Sequence, residues 1–155
     1  MAVSKIPEGY HSVTPYLICK DAGRALEYYK KAFGAEELSR HEMPGGKIGH
    51  AEIKIGDSPI MLADEFPEMN ALSPLTIGGS PVSLMLYVDD VDAVFKRAVA
   101  EGGKQTRAVA DQFYGDRLGM LTDPFGHVWS IATHIEDVPP EEMKRRADEA
   151  ARKKS

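Results

Sequence analysis

The chain has 155 residues, of which 43 % are hydrophobic and 28 % charged, and its formal net charge is −5. That size is one ordinary domain, or two small halves sharing a core, with the composition of a soluble globular protein. The acidic balance argues against a nucleic-acid or membrane-surface binder, since both functions need a basic face.

The first residues, "MAVSKIPEGYHS", contain no apolar stretch of the kind a secretory signal needs. No apolar run approaches the length of a membrane span. The single cysteine, Cys19, rules out an intramolecular disulfide. These features together predict a cytoplasmic protein.

The segment "VTPYLICKD" (13–21) reads as a strand that ends in a helix-capping aspartate. Beyond it, Ala22, Ala25, Leu26, Tyr29 and Phe33 fall on one stripe of a helix over 22–33, which stops at Gly34. Strands follow near 36–43, 48–55 and 59–64. The first strand is placed at 12–20.

The same order then repeats at an offset of 69. "VSLMLYVDD" (82–90) matches the first strand, and Val91, Val94, Phe95 and Ala98 match the helical stripe. Gly103 falls on Gly34, and "HVWSIATH" (127–134) falls on "SPIMLADE" (58–65). The second half therefore has strands near 82–89, 104–109, 117–122 and 127–134, with a helix over 91–101. The Pro-, Gly- and Ser-rich stretch 66–81 reads as a linker between module 12–65 and module 82–135. The tail, 136–155, starts with prolines and acids and ends with bases, an order that suits a helix dipole.

The duplicated βαβββ plan, with "YLICKDAGRALEYYKKAFGAEE", "HAEIKIGDSPIMLAD" and "FYGDRLGMLTDPFGHVW", resembles the vicinal oxygen chelate superfamily. This is the glyoxalase, bleomycin-resistance and dioxygenase group, and the PhnB-like branch is the nearest in pattern. The resemblance covers roughly residues 12–135. It implies an α+β fold in which tandem modules form a partly open, cup-like mixed sheet with helices on the outer face. It also implies a small-molecule ligand in the cup and a homodimer.

Metalloenzymes of the superfamily take ligands from one position on the first strand and one on the last strand of each half. Here those positions fall on Thr14, Met61, Ser83 and Ser130. Hydroxyls and a thioether are poor ligands for zinc, nickel, manganese or iron, which want imidazole or carboxylate. The expectation is therefore a cup without a metal cofactor that binds a small organic ligand, as bleomycin-resistance proteins do by sequestration. Its lining would be Thr14, Met61, Ser83, Met85 and Ser130.

Other residues leave alternatives open. His50 and Glu52 share a strand face at i, i+2, a spacing that lets two ligands converge; it also writes a polar face alternating with Ala51, Ile53 and Ile55. With His134 they could serve a divalent-metal lyase, isomerase or dioxygenase of the glyoxalase type, or Glu52 or His50 could act as a metal-free general base. His127 and His134 point to opposite sides of one strand, ~23 Å apart at about 3.3 Å per residue, so they cannot share an ion. Trp129 and Ile131 read as core under a helix. In "DQFYGDR" (111–117), Tyr114, Asp116 and Arg117 could orient a ligand at the cup mouth, or form a turn at Gly115 with a surface ion pair.

Overall fold

The computed structural model describes residues 2–154. Strand β1 (Tyr16–Cys19) leads into helix α1 (Ala22–Phe33), followed by β2 (Glu36–Glu42), β3 (Ile48–Ile55) and β4 (Ser58–Asp64). A single 3₁₀ turn (Pro67–Met69) and a one-turn helix α2 (Pro74–Ile77) occupy the linker. The second module runs β5 (Ser83–Tyr87), α3 (Val91–Ala100), β6 (Lys104–Asp111), β7 (Asp116–Thr122) and β8 (Val128–His134). Helix α4 (Pro140–Lys153) ends the chain. No helix among the described residues is long and apolar enough to cross a membrane.

The strands form two four-stranded sheets, ordered β1-β4-β3-β2 and β5-β8-β7-β6. In each, the first strand runs parallel to the last and the other pairs are antiparallel. The fold is thus the mixed α+β arrangement of two βαβββ modules, with both sheets open. The repeat holds in the register: Tyr16 sits opposite Met61, and Met85 opposite Ser130, the same pair moved by 69. It holds in hydrogen bonding too. Asp64 accepts the first N–H of α1 from Ala22 at 2.8 Å. Thr133, its counterpart, accepts the corresponding N–H of α3 from Val91 at 2.9 Å.

Three details differ from the sequence reading. The first strand begins at Tyr16, so Thr14 precedes the ladder; Pro15 has no N–H to contribute and only its carbonyl bonds, to Met61 N. Helix α3 ends at Ala100, and Gly102 (φ +124°), rather than Gly103, supplies the left-handed backbone beyond it. Gly103 is instead a packing glycine, where a Cβ would lie 2.7 Å from the Tyr28 hydroxyl. Finally, the offset between β3 and β7 is 68, because Glu52 faces Met61 whereas Met120 faces Ser130. The stretch between the paired residues Met120 and Ser130, which holds Asp123-Pro124-Phe125-Gly126, is therefore one residue longer than that between Glu52 and Met61.

One face of each sheet packs on helices. Leu17, Cys19, Ala51, Ile53, Ile55, Ile60 and Leu62 join Ala22, Ala25, Leu26 and Tyr29 in the core. On the second sheet Leu121, Trp129 and Ile131 do the same with Val91, Phe95 and Ala98. The two cores fuse where α1 meets the second module. The Trp129 ring lies 5.6 Å from that of Tyr29 and 4.7 Å from that of Phe33. Tyr28 donates to Ala98 O at 2.8 Å and Arg97 to Ala32 O at 3.2 Å. Trp129 and Ile131 are core under a helix as expected, but for Trp129 the aromatic contacts come from the helix of the other module.

Candidate functional site

The opposite face of each sheet, turned away from its helix, is the inner face. On the first sheet, strand alternation places Tyr16, Ile18, His50, Glu52, Met61 and Ala63 there, with His41 and Ser39 of β2 opposite His50 and Glu52. On the second it places Ser83, Met85, Tyr87, Asp116, Met120, Ser130 and His134 there.

Met61, Ser83, Met85 and Ser130 therefore all lie on inner faces, with Met61 and Ser130 part-buried and Ser83 and Met85 exposed. Thr14 is part-buried just ahead of β1. His50 and Glu52 are also inner-face residues. Tyr114 and Arg117 are not brought together with them. Tyr114 lies in the β6–β7 turn, its ring edge-on to Phe113. Arg117 alternates with Asp116 along β7 and turns toward α3, where it donates to Asp92 at 2.8 and 2.9 Å and to Asp111 at 3.0 Å. Those two carboxylates raise the guanidinium pKa further. The structure thus splits the cluster: Asp116 faces inward, and Arg117 belongs to an outer ion-pair group.

Two polar clusters occupy the inner faces. On the first sheet, the Tyr16 hydroxyl lies 2.8 Å from His50 Nδ1, and His50 Nε2 lies 2.9 Å from Glu52 Oε2. Tyr10, from the segment preceding β1, donates to the other oxygen of Glu52. Burial raises the Tyr16 phenol pKa above its ordinary value. On the second sheet, Tyr87 donates to Asp116 Oδ2 at 2.7 Å, and His134 Nδ1 lies 2.7 Å from Asp116 Oδ1. His134 Nε2 reaches Asp137 at 2.7 Å. Hydrogen bonding to Asp116, then to Asp137, raises the His134 pKa, and hydrogen bonding to Asp116 raises that of Tyr87. In the sequence Asp116 and His134 stand in separate segments, and Tyr87 does not announce itself as their partner. Its only signal was an aromatic at an exposed alternate position of "SLMLY".

A cleft of about 470 Å³ lies against the first inner face. Tyr16, Ile18 and Ala63 form part of its wall, and Phe66, Met69 and Ala71 of the linker complete it. His41, Asp64 and Glu68 are its ionisable members, and Gly49 also borders it. A second cleft of about 310 Å³ lies between β1, the linker and the start of β8, and shares Tyr16. His127 borders it and donates through Nε2 to Ile18 O at 2.9 Å, which bridges the modules. Met61, Ser83, Met85 and Ser130 border neither cleft.

The residues present do not fit a metal of the superfamily type. Thr14, Met61, Ser83 and Ser130 offer three hydroxyls and a thioether. Among the described residues no three His, Cys, Asp or Glu side chains converge as a metal requires. His50 and His134 stand on different sheets, and His134 has a carboxylate at each ring nitrogen. Cys19 is fully buried, and burial, reinforced by nearby Asp123 and Asp64, pushes its thiol pKa up, which leaves it without nucleophilic character.

Residues 9–131 match the family model described as the Glyoxalase/Bleomycin resistance protein/Dioxygenase superfamily. The chain belongs to that superfamily. A relative in Mycobacterium bovis, the uncharacterized protein Mb0911c, is 40 % identical over 136 residues, covering 86 % of this chain and 90 % of the relative. The crystallised At5g48480 gene product of Arabidopsis thaliana superposes with a TM-score of 0.65 at 26 % identity, covering 79 % of this chain and 98 % of that one. A PhnB protein from Bacillus cereus superposes with a TM-score of 0.63 at 20 % identity, covering 79 % and 99 %, a likeness of fold. The glyoxalase-superfamily fold thus accounts for the duplicated modules.

Proposed function

We propose that this superfamily member binds a small organic molecule on its inner face without a resident metal, and that the cleft beside Tyr16 is the main seat. The observation that carries this reading is the cleft itself. Its volume of about 470 Å³ falls in the range of small-molecule sites, and its wall is apolar with few polar groups, as such sites are built. Met43 and Met69 give it adaptable edges. Met61 extends the surface from Tyr16, opposite which it sits in the β1–β4 ladder. Ser83, Met85 and Ser130 offer a matching surface on the second sheet. Tyr16, Met85 and Tyr87 are about half exposed, at 47 %, 46 % and 56 %. A homodimer that brings inner faces together would cover them.

A ligand-observed NMR screen of small aromatic and heterocyclic molecules tests the reading. Hits are expected to compete with one another and to be lost in Ala71→Trp, which fills the cleft, while the thermal midpoint stays within a few degrees. Hits indifferent to Ala71→Trp would place the site elsewhere. Light scattering on the same samples reports the dimer.

A further inference from the structure

The first inner-face cluster has a direction, and its direction specifies a chemistry. Glu52 anchors one end. One of its oxygens accepts from Tyr10, and the other lies 2.9 Å from His50 Nε2. A carboxylate accepts only, so Nε2 carries a proton and donates. In the neutral imidazole, Nδ1 is then an acceptor, and the group 2.8 Å from it is the Tyr16 hydroxyl. Tyr16 donates to Nδ1, and this leaves the lone pairs of its oxygen for something else. Tyr16 is also the member of the cluster that borders the cleft, and it is half exposed.

The cleft itself carries two carboxylates: Asp64, which is buried and accepts from the N–H groups of Ala22 and Ile48, and Glu68, which is exposed. His41 of β2 is paired across from His50, and Ser39 across from Glu52. Met61 of β4 lies opposite both Glu52 and Tyr16. Lys54, next on this face of β3, is exposed. Glu52 is the carboxylate that His50 contacts.

We infer that Tyr16, His50 and Glu52 form a proton-accepting relay that recognises an acidic hydroxyl, a phenol or an enol, on the molecule held in the cleft. The inference rests on the cleft being the ligand seat. The ligand O–H donates to the Tyr16 oxygen. When the ligand ionises, its proton passes to Tyr16 as the Tyr16 proton passes to His50 Nδ1. Tyrosine ends neutral and donates to the ligand oxyanion. His50 ends as imidazolium beside the Glu52 carboxylate. No oxidant, metal or co-reactant is consumed, and the same transfer run backwards reprotonates the ligand. A relay of this kind stabilises an enolate or phenolate, which is the step that proton-transfer isomerisations share.

The probe is a series of nitrophenols, whose phenolate absorbs in the visible, titrated with pH in the presence of full-length protein. Binding is followed separately by ligand-observed NMR. The expected result is that the acid dissociation constant of the bound probe rises about tenfold, as a nearby opposite charge produces. The shift should vanish in Tyr16→Phe and shrink in both His50→Gln and Glu52→Gln, with the probe still bound. Binding lost in Ala71→Trp but without any shift in wild type overturns the relay and leaves the cleft reading intact. A shift that survives Tyr16→Phe also overturns the relay. If none of the series binds, recognition of phenols is wrong, and the NMR screen with other chemistries decides the cleft on its own.

Discussion

The imidazole of His134 meets the carboxylate of Asp116 at 2.7 Å, where β8 leaves the second sheet, and Asp116 is 6 % exposed at its side chain. The opposite ring nitrogen meets Asp137, also at 2.7 Å. Both nitrogens face acceptors, so the arrangement is satisfied only by imidazolium. Hydrogen bonding to Asp116 and then to Asp137 raises the pKa above the ordinary 6.5. A histidine whose folded pKa is raised contributes stability that is fully present below its unfolded value and is lost as the pH climbs through the folded value. The urea midpoint of the wild type should therefore fall as the pH rises past the ordinary histidine value, and His134→Gln should flatten that fall. The histidine is half exposed, so the effect is modest. Parallel curves for the two proteins would show that the imidazolium holds nothing in place.

A buried carboxylate joins the modules. Asp123 Oδ2 accepts from the Tyr29 hydroxyl at 2.5 Å and from Trp129 Nε1 at 2.9 Å. Its Oδ1 accepts from the backbone N–H groups of Phe125 and His127. Removing the carboxylate leaves four donors without a partner, and Asp123→Ala is expected to cost about 3 kcal/mol or more. Tyr29→Phe removes one donor and leaves the other three in place, so its cost is about 1 kcal/mol. Urea unfolding of both variants checks the ranking. A Tyr29→Phe cost equal to that of Asp123→Ala would mean that the carboxylate acts only through the tyrosine.

The repeat at 69 was legible because its register is carried by periodicity and turns, which are local. The faces of Met61, Met85 and Ser130 followed from the same count. What the sequence left unread is non-local. Tyr87, Asp116 and His134 lie on three different strands, β5, β7 and β8, and meet only through pairing across the sheet. The neighbours Asp116 and Arg117 read as one cluster, yet a strand sends adjacent side chains to opposite faces, so one entered the inner face and the other joined α3. Tyr10 lies 42 residues from Glu52, and nothing in its surroundings announces that contact. His50 and Glu52 share a face by strand alternation alone, but the tyrosines at both ends of the pair belong to tertiary structure.

Gly115 is the residue on which the tail closes. Its carbonyl accepts from the N–H groups of Ile135 and Glu136. Its φ is +100°, and a Cβ there would lie 2.1 Å from Glu136 O. Gly115→Ala meets both the left-handed strain and a backbone clash that no rotamer relieves, and is expected to cost about 2 kcal/mol or more. The damage should be local first. Glu136 pairs with Arg146 of α4 at 2.7 Å, so loosening the strap should also free α4. Hydrogen exchange should show faster exchange over 135–153, with the first module unchanged. Uniform acceleration through both modules would show that the strap belongs to global unfolding.

The donor set also predicts what a metal titration will show. His50 and Glu52 present two adjacent donors, and both are already committed to Tyr16 and Tyr10. A lone imidazole–carboxylate pair falls short of the three protein ligands usual in catalytic zinc sites. Protein purified without a histidine tag should therefore carry less than stoichiometric zinc, nickel, manganese or iron by elemental analysis. Added ions should bind weakly, with an affinity that drops further in His50→Ala. A tightly held stoichiometric ion lost in His50→Ala would instead assign His50 and Glu52 to a metal centre, with the missing ligands supplied by a second chain. In that event the Tyr16 relay would have to give way to Lewis-acid chemistry, and the nitrophenol shift would follow metal loading rather than the Tyr16 hydroxyl.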